Sequence, residues 1–593
     1  MEYLGIKINL ERDNLFDTLG IKRLKESYMM EEETTPQERF AYVSKAFSSS
    51  PEHAQRLYEY SSQHWLSYST PILSFGRSRR GLPISCFLPY MHDSAEGLVD
   101  CLSEVNWLSM LGGGIGIGIG IRSADDKSTG IMPHLRTYDA SSLAYRQGRT
   151  RRGSYAAYLD ISHPDILLFL EMRRPTGDPN MRALNLHHGI NITDDFMSLI
   201  EKSMLDPNFD DTWELKDPHD GEVRDTISAK ELWERILTLR METGEPYIHF
   251  IDTSNRMMPE FQKKLGLSIK QSNLCSEIIL PTNKNRTAVC CLSSVNLEYY
   301  DEWKDNQLFL KDIAEMLDNV LQYFIDNAPD SIARARFSAF RERSIGVGAL
   351  GFHAYLQRKN VAFESVMAKS LNNKIFKNIR TKLDHANIEL GKLRGEAPDA
   401  KGTGRRFSHT MAIAPNASSS IIMGNTSPSI EPYRANAYRQ DTLSGAHLNK
   451  NKYLDKIIHD TSDKIDYDET WSSIIANDGS VQHLEWMDEH TKEVFKTSME
   501  IDQRWLIEHA ADRQQYIDQA QSLNLFFRPD VNVKYLHACH FLAWKKGLKT
   551  LYYCRSEKLA KADKVSKKIE RQVISELNLQ EIAQGNECLA CEG

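Results

Sequence analysis

Three side chains within the stretch Ser272-Asn273-Leu274-Cys275-Ser276-Glu277 can do redox and acid–base chemistry together. An extended chain sends residues i, i+2 and i+4 to one side, so Asn273, Cys275 and Glu277 are expected on one face. There Glu277 can take a proton from a hydroxyl, Asn273 can donate and accept hydrogen bonds, and Cys275 can serve as nucleophile or one-electron centre. A cysteine in a sheet is also commonly a small buried hydrophobe, so the triplet taken alone leaves both readings open.

Other residues carry weaker signals. Ala417-Ser418-Ser419-Ser420 places hydroxyls and backbone N–H groups where a helix could begin, which suits an anion and equally suits a plain helix cap. Cys588-x-x-Cys591 is either an exchangeable dithiol or half of a zinc site, and no second pair at metal-ligand spacing stands near it. No metal is expected. Tyr552 and Tyr553 are adjacent aromatics, a pattern usually explained by packing.

These residues must be held by a large fold. From Thr70 to about Arg555, short apolar runs (GGGIGIGIGIR, YIHFID, EIILP, TMAIAP, LKTLYYC) alternate with long amphipathic stretches such as Lys311 to Asn327, the rhythm of an α/β domain. Between Gly112 and Gly120 glycine takes the even positions while Ile115, Ile117 and Ile119 take odd ones, a strand with one apolar face and one of bare backbone. Either a ligand or a neighbouring backbone must approach that bare face. The spacing does not match G-x-G-x-x-G in any register. Ahead of this, Phe40, Val43, Phe47 and Leu57 predict short amphipathic helices.

The 593 residues carry 73 Lys+Arg against 81 Asp+Glu, a net charge of −8, which argues against a nucleic-acid partner. Apolar runs such as Ile166 to Leu170 are too short to cross a membrane, and the acidic start lacks a secretory pattern. Nine irregularly spaced cysteines read as thiols in a reducing compartment, so a cytoplasmic location is expected.

The segment around Cys275 resembles the finger loop of the large subunit of ribonucleotide reductase, and the resemblance continues in order along the chain. It takes in Ser69-Thr70-Pro71, Ser85-Cys86, Asp93-Ser94, Cys290 in AVCCLS, PNASSS from Pro415 to Ser420, Ile430-Glu431-Pro432, Tyr552-Tyr553 and Cys588-x-x-Cys591. It implies an α/β fold, the family's ten-stranded α/β barrel over residues 66–575, with the finger loop near 275. A small helical N-terminal region (1–65) precedes the barrel, and a flexible redox-active tail (576–593) follows it.

Further implications concern roles. Cys275 would become a thiyl radical that removes the 3′ hydrogen of the substrate ribose, with Glu277 taking the 3′ hydroxyl proton and Asn273 holding the sugar. Cys86 and Cys290 would supply two electrons by closing to a disulfide; Cys291 must point the opposite way from Cys290 on a strand. Cys588 and Cys591 would reopen that disulfide by exchange with thioredoxin or glutaredoxin. Thr70, Ser418, Ser419 and Ser420 would hold the substrate diphosphate, and Ser85 and Cys86 would lie along the nucleoside. Ala417 stands where related enzymes carry an acidic residue.

Tyr552 and Tyr553 match the radical relay of the class I enzymes, which implies a separate radical-generating small (beta) subunit and no cofactor bound in this chain. Nucleoside triphosphate effectors (dNTP or ATP) would bind Asp93, Ser94 and Arg122 at a dimer interface, with Arg182 in the loop Arg174 to Leu186 transmitting effector identity. A homodimer forming an alpha2beta2 complex is implied. Neither a glycine-rich nucleotide loop nor an ATP-cone start precedes Thr70, so no overall activity switch is expected. The rival readings are a cobalamin-dependent (class II) reductase on the same barrel and a catalytically silent nucleotide-binding regulatory relative.

Overall fold

The computed structural model describes residues 1–77, 81–145, 153–442 and 445–556. Three helices lead the chain: α1 (Thr18–Ser27), α2 (Pro36–Ala46) and α3 (Pro51–Ser62). Each starts on a side-chain cap: Asp17 accepts from the Gly20 N–H, Thr35 from Glu38 and Ser50 from His53. Pro36 and Pro51 stand at helix starts, where a missing N–H costs nothing. The expected apolar positions Phe40, Val43, Phe47 and Leu57 are all buried.

Ten strands form the central sheet: β1 (Leu66–Tyr68), β2 (Cys86–Leu88), β3 (Tyr90–His92), β4 (Gly114–Gly120), β5 (Tyr155–Asp160), β6 (His187–Ile192), β7 (Tyr247–Phe250), β8 (Ala288–Asn296), β9 (Ile345–Leu350) and β10 (Thr550–Leu551). The main path runs β9-β8-β2-β4-β5-β6-β7-β10, with β1 on β8 and β3 on β4. Strands β2, β4, β5, β6 and β7 are mutually parallel, as are β8 and β9. The two parallel sets meet antiparallel where β2 pairs with β8. Single bridges from Val347 to Met411 and from Ile413 to Gln521, then the bond from Tyr552 N–H to the Leu523 carbonyl, carry the pairing round from β9 toward β10. The sheet thereby curls into a barrel. Helices pack outside it, among them α4 (Ala95–Met110), α5 (Ile131–Ala144), α6 (Phe309–Asn327) and the long α7 (Val366–Arg394). No helix among the described residues is long and apolar enough to cross a membrane.

Strand β4 explains its own sequence. Ile115, Ile117 and Ile119 are buried in the main apolar core. On the other face, a Cβ added to Gly116 would lie 2.2 Å from the Ser272 carbonyl oxygen and 2.6 Å from the Asn273 Cα. One at Gly118 would meet Gln271 Oε1 at 2.7 Å. The bare face is where another stretch of backbone crosses the barrel, and that stretch carries Cys275.

Two apolar runs are not strands. EIILP continues the crossing loop, its Glu277 carbonyl accepting from Ala520 N–H, and TMAIAP touches the sheet only through isolated bridges. EIILP is buried within the barrel and TMAIAP within its wall, and composition does not distinguish either from strand burial.

Candidate active site

The loop around Cys275 is a turn, which corrects the extended geometry expected for it. Ser276 has φ of 67°, an uncommon left-handed value for a non-glycine, and its N–H bonds the Asn273 carbonyl at 3.4 Å. The Asn273 side chain closes the loop by accepting from Ile278 N–H at 3.0 Å, and Ser272 Oγ donates to the Ile278 carbonyl at 2.8 Å. From outside the loop, Tyr158 donates to the Asn273 carbonyl (2.6 Å) and Ser522 to the Cys275 carbonyl (2.6 Å). Asn273 and Glu277 still converge, but on Cys86: Asn273 Nδ2 lies 3.4 Å and Glu277 Oε1 3.9 Å from its sulfur. A local turn braced from both sides, rather than strand alternation, brings them together.

Cys86 and Cys290 are paired residues across β2 and β8, with Cys290 opposite Cys86 in the antiparallel register. Residues so paired have Cβ atoms roughly 4.5–5.5 Å apart on one face of the sheet, close to what a disulfide spans. Gln519 Nε2 lies 3.4 Å from the Cys290 sulfur. Cys291 points the other way, its thiol donating to the Leu317 carbonyl of α6 at 3.5 Å. Burial pushes the Cys290 thiol well above its ordinary pKa, so it is a protonated thiol near neutral pH.

Tyr552 approaches from the far side, its hydroxyl 3.6 Å from the Cys275 sulfur. The Tyr552 and Tyr553 rings are 4.3 Å apart, and Tyr247 packs on both at 4.8 and 5.1 Å. Arg555 stacks over Tyr553, and the Tyr553 hydroxyl lies 3.5 Å from His187 Nδ1. His187, His188 and Arg173 all contact Glu245. Burial would raise the Glu245 pKa, but Arg173 and His187 outweigh it and hold this carboxyl well below its ordinary value. Burial, then Glu245, push the Tyr553 phenol above its ordinary value.

A cavity of about 410 Å³ is lined by Cys275, Pro415, Ala417, Ser420, Tyr433 and Tyr552, among others. Ala417, Ser418, Ser419 and Ser420 open the short helix α8 (Ala417–Ile422), entered through Asn416 at φ 55°. Ser420 Oγ bonds back to the Ala417 carbonyl, while Ser418 Oγ accepts from Arg23. Thr70 begins the short helix Thr70–Leu73 and its hydroxyl lies 3.3 Å from that of Tyr28. Ser85, next to Cys86, has a buried Oγ with no hydrogen-bond partner among the described residues, as does Ser69.

The remaining expected residues fall into separate places. Arg122 Nε bonds Asp93 at 2.8 Å, and Ser94 caps α4 by accepting from Gly97 N–H, so these three are neighbours. Arg182 is held within its own loop, donating to the Thr176 carbonyl at 2.7 Å, and lines a cavity of about 730 Å³ with Arg136, Asp139 and Gly177. Cys588 and Cys591 lie outside the described residues. The one cluster of metal-ligand type among the described residues, His53, Asp312 and Glu315, has Asp312 already engaged by Arg56 at 2.7 and 2.9 Å.

Sequence reasoning missed Tyr247, Gln519, Ser522, Tyr158 and the Glu245 cluster. Only Tyr247 had a signal, as an aromatic in an apolar run on the strand face shared with His249.

The family model described as "Ribonucleotide reductase, barrel domain" matches residues 84–403 and 398–554, and that described as "Ribonucleotide reductase, all-alpha domain" matches 14–81. The chain is 56% identical to the ribonucleoside-diphosphate reductase large subunit of Invertebrate iridescent virus 3, over 94% of this chain and 97% of that one. It is 32% identical to the large subunit of Caenorhabditis elegans, over 100% of this chain and 83% of that one. Among solved structures, the Actinobacillus ureae class Id ribonucleotide reductase alpha subunit superposes with a TM-score of 0.81 at 34% identity, covering 93% of this chain and 98% of that one.

Proposed function

The chain belongs to the large-subunit family of ribonucleotide reductases, and from that premise we propose how its residues do the work. It is the catalytic subunit of a ribonucleoside-diphosphate reductase, forming 2′-deoxyribonucleotides as DNA precursors. The overall change is balanced by two thiols: the ribonucleotide loses its 2′ hydroxyl as water, gains hydrogen at that carbon, and a dithiol becomes a disulfide.

In our reading Cys275, as a thiyl radical, removes the 3′ hydrogen and returns a hydrogen atom at the end. Glu277 takes the 3′ hydroxyl proton, which labilises the 2′ hydroxyl, while Asn273 holds the sugar. Cys86 and Cys290 give the two electrons and close to a disulfide. The observation that carries this is the convergence of Asn273 and Glu277 on the Cys86 sulfur, with Cys290 paired opposite. Burial suits the chemistry, because an enclosed site keeps reactants other than the substrate away from the radical.

Tyr552 and Tyr553 relay the oxidising equivalent from a radical-generating small subunit; the short path from Tyr553 through Tyr552 to the Cys275 sulfur supports this over the cobalamin-dependent reading. Thr70 and Ser418 to Ser420 hold the diphosphate, and Ser85 lines the nucleoside. Asp93, Ser94 and Arg122 bind a nucleoside triphosphate effector, read through Arg182, in a homodimer that joins the small subunit as alpha2beta2. Cys588 and Cys591 pass electrons from thioredoxin or glutaredoxin. A dithiol-driven cycle suits a reducing compartment, and we read the location as the cytoplasm.

The test is Cys275→Ser in the reconstituted holoenzyme. Deoxynucleotide formation should vanish while effector binding stays within about twofold; measurable turnover in that variant would refute the assignment.

A further inference from the structure

The proposed diphosphate pocket has neutral hydroxyls from Thr70 and Ser418 to Ser420, yet its ligand would carry two or more negative charges. Arg434 and Arg555 line the cavity, and a further cation, in hydrogen-bond contact with one of those hydroxyls, comes from the N-terminal helices. Arg23, on α1, donates through Nη2 to Ser418 Oγ at 3.1 Å. Its Nε is buried and has no hydrogen-bond partner among the described residues. Five residues on, just past the end of α1, the Tyr28 hydroxyl lies 3.3 Å from Thr70 Oγ1. The same helix is pressed onto α8, since a Cβ on Gly20 would sit 3.1 Å from the Ile421 carbonyl.

We propose that Arg23 is a binding residue for the diphosphate of the substrate, so that α1 forms one wall of the active site; this rests on the reading of Thr70 and Ser418 as phosphate contacts. The contact sets a fixed positive charge beside Ser418, and the planar fork of the guanidinium matches phosphate geometry. The buried hydroxyls of Ser69 and Ser85, both without partners among the described residues, are what a region completed by a polar ligand would show.

The experiment compares the parent with Arg23→Gln in the holoenzyme, using cytidine diphosphate as substrate, and measures cytidine diphosphate binding to the effector-loaded chain by calorimetry. Losing one charge-assisted contact should raise KM and Kd about tenfold, with kcat falling less than about twofold. Lys25→Gln, on the exposed side of α1, serves as the charge control and should change neither. Should Arg23→Gln melt early, Arg23→Met keeps an unbranched apolar stem and removes the charge with its N–H donors. Parent-like KM and Kd in either folded variant overturn the proposal. A parent that fails to reduce diphosphates at all refutes the whole site reading, an outcome distinct from a working enzyme indifferent to Arg23.

Discussion

Cys86 and Cys290 face one another at the seam where the two parallel halves of the sheet meet antiparallel, while Cys291, one residue along β8, is turned into the helical layer against Leu317. The antiparallel seam matters chemically, because directly opposed residues on neighbouring strands have Cβ atoms close enough to be bridged. Without added reductant, the parent should therefore form about one deoxynucleotide per dithiol and stop. Cys290→Ser should form none, and Cys291→Ser should match the parent; rapid-quench product counting distinguishes them. Equal loss in both variants would show that the two thiols do not differ in role.

Gly116→Ala should cost both stability and activity. The new methyl group would collide with the Ser272 carbonyl and Asn273 Cα, which are backbone atoms of the crossing loop and cannot rotate aside. Overpacking of this kind costs about 1–3 kcal/mol, measurable by urea titration, and displacement of Cys275 should lower kcat by at least tenfold. A variant with full activity would mean that the loop moves freely on β4.

Replacing Tyr552 or Tyr553 by Phe removes one hydroxyl and little volume. Thermal stability should change by no more than a few degrees, while turnover driven by the small subunit falls at least a thousandfold. Tyr247→Phe is the companion test. Tyr247 packs against both rings, and near-parent turnover there would make it a spacer, whereas loss would add it to the relay.

Glu342 offers a pH test away from the reaction. Burial pushes its pKa up to about 8 despite the nearby Arg286. Gln262 is its hydrogen-bonding partner, while Asp399 adds further repulsion. Between about pH 4.5, where the unfolded carboxyl ionises, and about pH 8, the folded state holds a proton that the unfolded state has released. Stability from this group consequently falls as pH rises, by roughly 1 kcal/mol per pH unit. Glu342→Gln should flatten that slope in denaturant titrations at successive pH values. An unchanged slope would show that Glu342 is ionised in the folded protein.

Much of the fold could be read from residue order alone. The capped helices α1 to α3, the buried positions Phe40, Val43, Phe47 and Leu57, and the period-two strand β4 follow from local rules of capping and side-chain alternation. Residue types likewise marked Cys275, Glu277 and Asn273 as a chemical group. Local rules also erred where the fold overrode them: the loop at Cys275 is a braced turn with Ser276 left-handed, and EIILP is buried without being a strand. The partners that give the group its geometry are distant in the chain, and no periodicity connects them. Gln519 reaches Cys290, Ser522 holds the Cys275 carbonyl, and Arg23 reaches Ser418 across 395 positions. Such contacts arise only when the sheet has curled and the helices have docked, because burial inside a barrel, not sequence spacing, sets which side chains meet.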